Sequence, residues 1–295
     1  MKGIALILLF SLNILCGQWS QLNSPDGQSI SGLIADEENL IAVTAFTEFY
    51  SSGDNGVNWQ ALPSNNNLLP YGLDLFHKMG DYLFVSQNVF SDTVNYRLQI
   101  SSGIWEALPY QSSILMEFIS KGNQIFTVIQ GGIARSIDFG NTFHLLNQPP
   151  IEGYIKLLYA DDDYLYAYHG CNLYRTADNG DPWEEITGNL DEIGPQDPYS
   201  CTHFSDMETW NDKLVISIYW YGGVGTLFTS SNHGDSWNLI ETFPSQLNAT
   251  VGHNSVSELL VKNSVLYAGT ATSEDGLYYT HDLITWQDYS SGLPW

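Results

Sequence analysis

Positively charged residues are scarce in this chain. Lysine and arginine together number 9 in 295 residues, against 33 aspartates and glutamates, and the formal net charge is -24. Such a surface repels the phosphates of nucleic acids and the anionic headgroups of membranes. The charge therefore predicts no nucleic-acid partner. It is compatible with cationic partners and divalent cations, although the solubility of an exported protein explains it more simply.

Long apolar segments are also few. One apolar run, Ile4–Leu15, follows the positive charge of Lys2 and precedes the small residue Gly17. This is the pattern of a secretory signal peptide over residues 1–17, and the run is too short for a comfortable membrane span. We therefore predict a mature domain of residues 18–295 that is secreted, either extracellular or periplasmic, without membrane insertion.

Cysteine is rare, and several chemical motifs are missing. Cys16 would suggest a lipidated N-terminus, but Leu15 stands where a lipobox has Gly or Ala. The other two cysteines, Cys171 and Cys201, either form one disulfide or are buried thiols. The chain has no Gly-rich phosphate loop, no Cys-x-x-Cys pair and no Gly-x-Ser-x-Gly turn. We predict no cofactor and no metal.

A short pattern, S/T-x-D-x-G-x-x-W, recurs along the chain. It is shortened at Thr280 and degenerate at Ser101, and its period of roughly 40 to 50 residues is that of propeller blades. Asp, Asn, Ser and Thr can hydrogen-bond amides of their own turn, Gly permits a positive φ, and the aromatic residue begins a strand. These structural roles fall on Asp54, Gly56, Trp59, Asp138, Gly140, Asp178, Gly180, Trp183, Asn232, Gly234, Trp237, Asp282 and Trp286.

The pattern resembles the Asp-box (BNR) repeat family of β-propellers. That family includes sialidases, xyloglucan-cleaving glycosidases, sortilin-type receptors and photosystem II assembly factors. The resemblance extends over nearly the whole mature chain. It implies an all-β fold of four-stranded antiparallel blades, whose strands are lettered A to D from the inside outwards, and it does not specify an activity.

Six complete blades are predicted. Later A strands include Gly72–Phe76 and Ile114–Ile119, and Lys78-Met79-Gly80-Asp81 is assigned to a turn. Gln18–Leu22 matches the D strands and is left as an orphan N-terminal outer strand. We interpret the chain as a truncated seven-bladed propeller, with a six-bladed ring carrying an extra edge strand at Trp19 as the alternative.

Propeller topology places the B–C and D–A loops on one face, the usual ligand face. The longest departure from the repeat, Asn189–His203, is a D–A loop on that face, and long loops in compact domains tend to be functional. Cys201 lies in it, and Cys171 lies in the B–C turn of the adjacent blade. We therefore predict a Cys171–Cys201 disulfide that pins the insertion.

The ligand-binding candidates on this face are aromatic residues and histidines. Tyr199, Trp220 and Tyr221 offer flat surfaces to sugars or peptides, with simple covering of a blade end as the alternative. His169 and His203 lie on the same face, and ordinary surface histidines are the alternative there.

Charged candidates for catalysis are Asp197, Glu274 and Asp275, which could supply the carboxylate pair of a glycoside hydrolase or be solvated loop residues. A sialidase needs three arginines, and the chain has three. Arg97, Arg135 and Arg175 all fall on C strands, where they are not expected to converge, and this argues against a sialidase.

We predict a monomeric, exported, non-enzymatic binding module that recognises a glycan or an extracellular protein through the B–C/D–A face. The alternatives are a glycoside hydrolase with a carboxylate pair on that face, and a secreted scaffold or assembly factor.

Overall fold

The computed structural model describes residues 25–27, 29–35, 39–68, 73, 75–89, 92–109, 118–129, 132–148, 155–177, 180, 182–190, 203–219, 225–244, 256–270 and 276–290. Strands and turns dominate these ranges, with a short 3₁₀ turn at Pro25–Gly27. Within them, no helix is long and apolar enough to cross a membrane.

The chain divides into two compact units, residues 1–145 and 146–295. The strands of the first unit are β1 Ile30–Ala35, β2 Leu40–Thr44, β3 Phe49–Ser52, β4 Gln60–Ala61, β5 Leu75–Met79, β6 Tyr82–Val89, β7 Asp92–Gln99, β8 Ile104–Ala107, β9 Phe118–Lys121, β10 Gln124–Ile129, β11 Gly132–Ser136 and β12 His144–Leu145. They form three antiparallel sheets of four strands, each in simple chain order, named blade 1 (β1–β4), blade 2 (β5–β8) and blade 3 (β9–β12).

The second unit repeats this arrangement. Its strands are β13 Lys156–Ala160, β14 Leu165–His169, β15 Asn172–Thr176, β16 Glu184–Glu185, β17 His203–Trp210, β18 Lys213–Tyr219, β19 Gly225–Ser230, β20 Asn238–Leu239, β21 Val256–Lys262, β22 Val265–Thr270, β23 Leu277–Thr280 and β24 Trp286–Asp288. They form blade 4 (β13–β16), blade 5 (β17–β20) and blade 6 (β21–β24).

The predicted fold class is confirmed: the described residues form six four-stranded antiparallel blades of a β-propeller. The predicted orphan strand Gln18–Leu22, the feature on which the seven-bladed interpretation depends, lies outside the described residues.

Two predicted A strands, Gly72–Phe76 and Ile114–Ile119, overlap β5 and β9, but these strands continue past the predicted ends to Met79 and Lys121. Residues 114–117 of the second prediction lie outside the described residues. In blade 2, Met79 pairs with Tyr82, so the turn has only two residues and begins at Gly80, whose φ is 55°. The hairpin therefore extends further toward the turn than the polar sequence indicated.

Each unit is held together by apolar packing between successive blades. The second strands are the most deeply buried, and β2 is buried at every position. In the first unit Val43 of blade 1 packs in one cluster with Leu83 of blade 2. In the second unit Phe228 of blade 5 packs in one cluster with Tyr166 of blade 4. The first strands of successive blades contact one another as well, for example β13 with β17 and β17 with β21, and we call these the inner strands.

The recurring turn is stabilised by its own polar side chains. In blade 1 the Ser52 hydroxyl donates to Asp54 Oδ1 at 2.8 Å and accepts the Gly56 N–H at 2.8 Å. Asp54 Oδ1 accepts the Asn58 N–H at 2.8 Å, and this bond is the main reason why the pKa of Asp54 lies below its ordinary value. Blades 3 and 5 repeat the pattern from Ser136 and Ser230. The equivalent Asp178 lies outside the described residues.

Candidate functional site

Three carboxylates lie on the inner strands of blades 5 and 6, and they define the candidate site. Asp206 and Glu208 occupy β17, and Glu258 occupies β21. The sequence analysis did not select any of them. Acidic side chains are unusual on strands that pack against other strands, because burial of a charge is costly unless it is paired or hydrogen-bonded. These residues therefore require a specific explanation.

A β-bulge in each of these inner strands determines which side chains face the core. The pairing of β17 with β18 shifts between Phe204 and Asp206, and that of β21 with β22 shifts between Val256 and Glu258. A bulge adds one residue to a strand and changes its alternation. As a result, Phe204 and Met207 are both buried although three positions separate them, and Asp206 lies on the opposite face.

In blades 4 and 5, the residue after the bulge connects the inner strand to that of the next blade. In blade 4 the bulge precedes Tyr159, whose hydroxyl oxygen accepts the Thr209 N–H of blade 5 at 3.2 Å. In blade 5, Asp206 Oδ2 accepts the Leu259 N–H of blade 6 at 2.7 Å. Asp206 Oδ1 also accepts the Met207 N–H at 2.9 Å. The same position in the blade, the residue after the bulge, therefore forms the hydrogen bond from blade 4 to blade 5 and the one from blade 5 to blade 6.

The surroundings of the three carboxylates favour their protonated forms. Burial raises the pKa of Asp206 to about 6, against the lowering effect of its two amide hydrogen bonds. Burial and the nearby charge of Asp206 raise the pKa of Glu208 to about 8. Glu258 is more exposed, yet desolvation on its protein side raises its pKa as well, while Lys156 acts in the opposite direction. Three acids near one lysine make a site that is acidic but only partly ionised at neutral pH.

The aromatic side of the cluster comes from blade 4. Burial raises the pKa of Tyr159, and the charge of Glu208 contributes to this shift. Asp161 follows β13 and accepts a hydrogen bond from the Tyr166 hydroxyl at 2.9 Å. Tyr159 and Tyr166 stack with ring centroids 6.2 Å apart. These two rings border the acids on the blade 4 side.

The predicted ligand-face residues are only partly within the described structure. His169 ends β14 and His203 begins β17, so both lie at the same end of the second unit, as antiparallel pairing requires. Lys156 begins β13 at that end too. The remaining candidates on this face, Asp197, Tyr199, Trp220, Tyr221, Glu274 and Asp275, lie outside the described residues.

Cys171 lies in the two-residue connection between β14 and β15 and is disulfide-bonded. Cys201, its predicted partner, lies outside the described residues, and the pairing therefore stays a prediction.

The three arginines have different partners. Arg97 of β7 contacts Glu106 and, in blade 3, the Phe139 carbonyl and Asn141 Oδ1. The cleft beside Arg97 has a volume of about 280 Å³. The guanidinium already donates hydrogen bonds to these three partners.

In blade 4, Arg175 donates to the His233 carbonyl of blade 5 at 2.7 Å and pairs with Asp235 and Glu184. Arg135 donates to Gln124. Arg97 and Arg175 therefore each bind, from their own blade, the recurring turn of the next blade. Within the described residues, the three arginines share no partner.

Metal ligation has no support in the part of the chain that the structure describes. There, no group of three or more His, Cys, Asp or Glu side chains is arranged to hold a metal ion. Asp206, Glu208 and Glu258 do not form such a group, and the chemistry open to them is proton exchange and the binding of cationic or hydroxyl groups.

Comparison with known proteins supports the fold. No protein-family model matches the chain, and no curated protein matches it. Solved structures do match. YCF48 bound to a D1 peptide has a TM-score of 0.62 at 15% identity, over 90% of this chain and 82% of that one.

Two further solved structures match the chain. The propeller domain of the trilobed protease of Pyrococcus furiosus has a TM-score of 0.61 at 9% identity, over 94% of this chain and 86% of that one. The GH74 enzyme of Niastella koreensis has a TM-score of 0.56 at 16% identity, over 96% of this chain but 44% of the enzyme. At these identities the likeness shows the fold alone, and a peptide-bound propeller and a glycoside hydrolase share it.

Proposed function

We propose that the protein is an exported, non-enzymatic binding module whose partner is a protein segment carrying basic side chains. The observation that carries the proposal is the group of acids on the inner strands of blades 5 and 6: Asp206 and Glu208 are half-buried, Glu258 is exposed, and all three have raised pKa values. An amine or guanidinium placed beside these acids would replace part of the hydration that they lack and would favour their ionised forms.

The position of the acids in the strands is suited to this role. β17 begins at His203, at the end where the B–C and D–A connections of the unit lie, and Asp206 is three residues further along. At about 3.3 Å per residue, this is about 10 Å from the strand end. A long lysine or arginine side chain can extend over such a depth while its backbone stays at the surface. The aromatic candidates Tyr199, Trp220 and Tyr221 would supply the rim.

Two further facts agree with a protein partner. The net charge of -24 favours association with a basic partner. One solved propeller of similar fold, YCF48, is bound to a D1 peptide, so a propeller of this fold can bind a peptide.

A peptide array tests this proposal. The mature protein from Gln18 would be applied to matched basic, neutral and acidic peptides, with a glycan array in parallel. We expect basic peptides to be retained, with binding that weakens in salt. Asp206→Asn and Trp220→Ala should each weaken it, whereas Glu241→Gln, which removes an exposed acid next to β20, should not. Retention of glycans alone, or equal binding by Asp206→Asn, would contradict the proposal.

A second candidate function is glycoside hydrolysis, and one observation favours it. Asp206 and Glu208 are neighbours on one face of β17, so their Cα atoms are about 6.6 Å apart along the strand, and their pKa values differ. A protonated acid beside an ionised carboxylate is the arrangement that glycosidases use. Incubation with oligosaccharides and mass spectrometry tests it: cleavage that Glu208→Gln abolishes would support hydrolysis, and intact sugars would count against it.

A further inference from the structure

We propose that Asn55 is a site of spontaneous deamidation, and that the hydrogen bond from the Gly56 N–H to the Ser52 hydroxyl sets the rate of this reaction. The proposal concerns the recurring turn of blade 1 and is independent of the proposed ligand. The chain has two Asn–Gly pairs, Asn55–Gly56 and Asn179–Gly180, and Asn179 lies outside the described residues.

The position of Asn55 in the turn does not require an asparagine. Its φ is 58°, and the equivalent residues of blades 3 and 5, Phe139 and His233, have φ values of 55° and 56°. Asparagine adopts this left-handed conformation more easily than most residues, yet a phenylalanine and a histidine hold it in the other two turns. Asn55 therefore gives the turn of blade 1 a reactive side-chain amide that the equivalent position of those turns lacks.

The sequence at Asn55 favours the reaction. Asparagine is a thermolabile residue, and a following glycine has no side chain to hinder the approach of its own backbone nitrogen. In the reaction the Gly56 nitrogen loses its proton and forms a bond to Asn55 Cγ. The bond from Cγ to Nδ2 breaks, and Nδ2 takes up a proton and leaves as ammonia. Water then opens the five-membered imide at either carbonyl, which gives aspartate or isoaspartate.

The geometry of the turn restrains the attacking nitrogen, although Asn55 itself is exposed. The Gly56 N–H donates to Ser52 Oγ at 2.8 Å, and this bond is buried. The Ser52 hydroxyl is fixed in turn, because it donates to Asp54 Oδ1 at 2.8 Å. A base in solution can remove the Gly56 proton only when this bond breaks and the turn opens, as in amide hydrogen exchange. The folded turn therefore slows the reaction.

Peptide mass spectrometry of the ageing protein measures the reaction. The mature protein from Gln18 would be incubated at mildly alkaline pH, either folded or unfolded in urea, and digested at intervals. We expect Asn55 to deamidate about tenfold more slowly in the folded chain, since the buried hydrogen bond must break first. Aspartate and isoaspartate should both form, because the imide opens at either carbonyl. Equal rates in the two states, or aspartate as the single product, would overturn the proposal.

Three variants separate the local hydrogen bond from general stability. Ser52→Ala removes the acceptor and should raise the rate in the folded chain about tenfold, whereas Ser52→Thr keeps a hydroxyl and should stay slow. Ser136→Ala is the matched control: it breaks the equivalent bond to the Gly140 N–H in blade 3, at 2.7 Å, and should leave the rate at Asn55 unchanged.

If Ser52→Ala does not fold, the comparison of folded and urea-unfolded wild type still decides. A rate at Asn55 that Ser52→Ala leaves unchanged, or that Ser136→Ala raises equally, would overturn the proposal.

Discussion

The inner strands of the two units solve the same packing problem with different chemistry. In blade 1 the residue after the bulge is Gly32, and an added Cβ there would lie 2.3 Å from Phe76 Cε1 of blade 2. In blade 5 the equivalent residue is Asp206, which bonds the backbone of blade 6. Beside this position blade 1 has the aromatic ring of Phe76, and blade 5 has the carboxylate of Asp206. A shared fold position can thus serve packing in one blade and charge in another.

A histidine on an inner strand of the first unit also has a pKa shifted by burial, but in the direction opposite to that of the acids. His77 of β5 is held in a neutral form, because burial lowers its pKa to about 4, and its Nε2 has no hydrogen-bond partner in the described structure. The inner-strand acids Asp206, Glu208 and Glu258 of the second unit have raised pKa values instead. Both shifts come from burial, which disfavours charge of either sign.

The largest expected effect comes from placing a side chain where blade 1 has none. Gly32→Val would drive two methyl groups into the Phe76 ring, and we expect a loss of about 2 to 3 kcal/mol in the free energy of unfolding. Chemical denaturation measures it. Gly53→Ala is the control in the same blade, since its Cβ would lie 3.6 Å from Asn39. If Gly32→Val leaves the free energy of unfolding unchanged, the Phe76 ring does not pack against residue 32.

The second effect is a gain in stability that depends on pH. The folded pKa of Glu208 is raised, so its favourable contribution is complete below about pH 4.5 and is lost as the pH rises to about 8. Glu208→Gln does not titrate. We expect it to be more stable than the wild type by about 2 kcal/mol at about pH 8.5, with little difference at about pH 4.5. Urea denaturation at both pH values is the measurement, and a gain that is constant with pH would contradict the assignment.

The smallest effect tests the other hydrogen bond between inner strands. Tyr159→Phe keeps the ring that stacks on Tyr166 and removes the acceptor of the Thr209 N–H. We expect a loss of about 1 kcal/mol in the free energy of unfolding. Thermal unfolding would show it as a lower Tm. Tyr279→Phe, on the exposed side of β23, is a control in which a hydroxyl is removed near solvent.

The sequence predicted the blades well because their landmarks are chemical. Turns such as Ser52-Gly53-Asp54 need particular hydrogen-bonding side chains, and these can be read directly. No such landmark precedes β5 or β9, and both strands continue past their predicted ends, to Met79 and Lys121. In blade 2 the turn was correctly predicted at Gly80. Lys78 and Met79 were assigned to the same turn, although both belong to β5.

The inner-strand acids could not be found in the same way. Alternation places Asp206 in the core beside Phe204, and only the bulge at Ser205, which depends on the pairing with β18, turns it to the other face. One signal was available. Asp206 and Glu208 are two acids at alternate positions of a strand with Met207 between them, which is uncommon on strands that pack on others.

The simple strand order within every blade has a consequence for how the protein forms. Each sheet is built from one continuous stretch of chain, and neighbouring strands are neighbours in sequence. Contact order is therefore low for an all-β protein, and long loops do not have to close before pairing begins. Each blade can assemble as soon as its own residues are available, in the order of synthesis. Later contacts, such as that of Arg175 with the turn 58 residues further on, then lock one finished blade to the next.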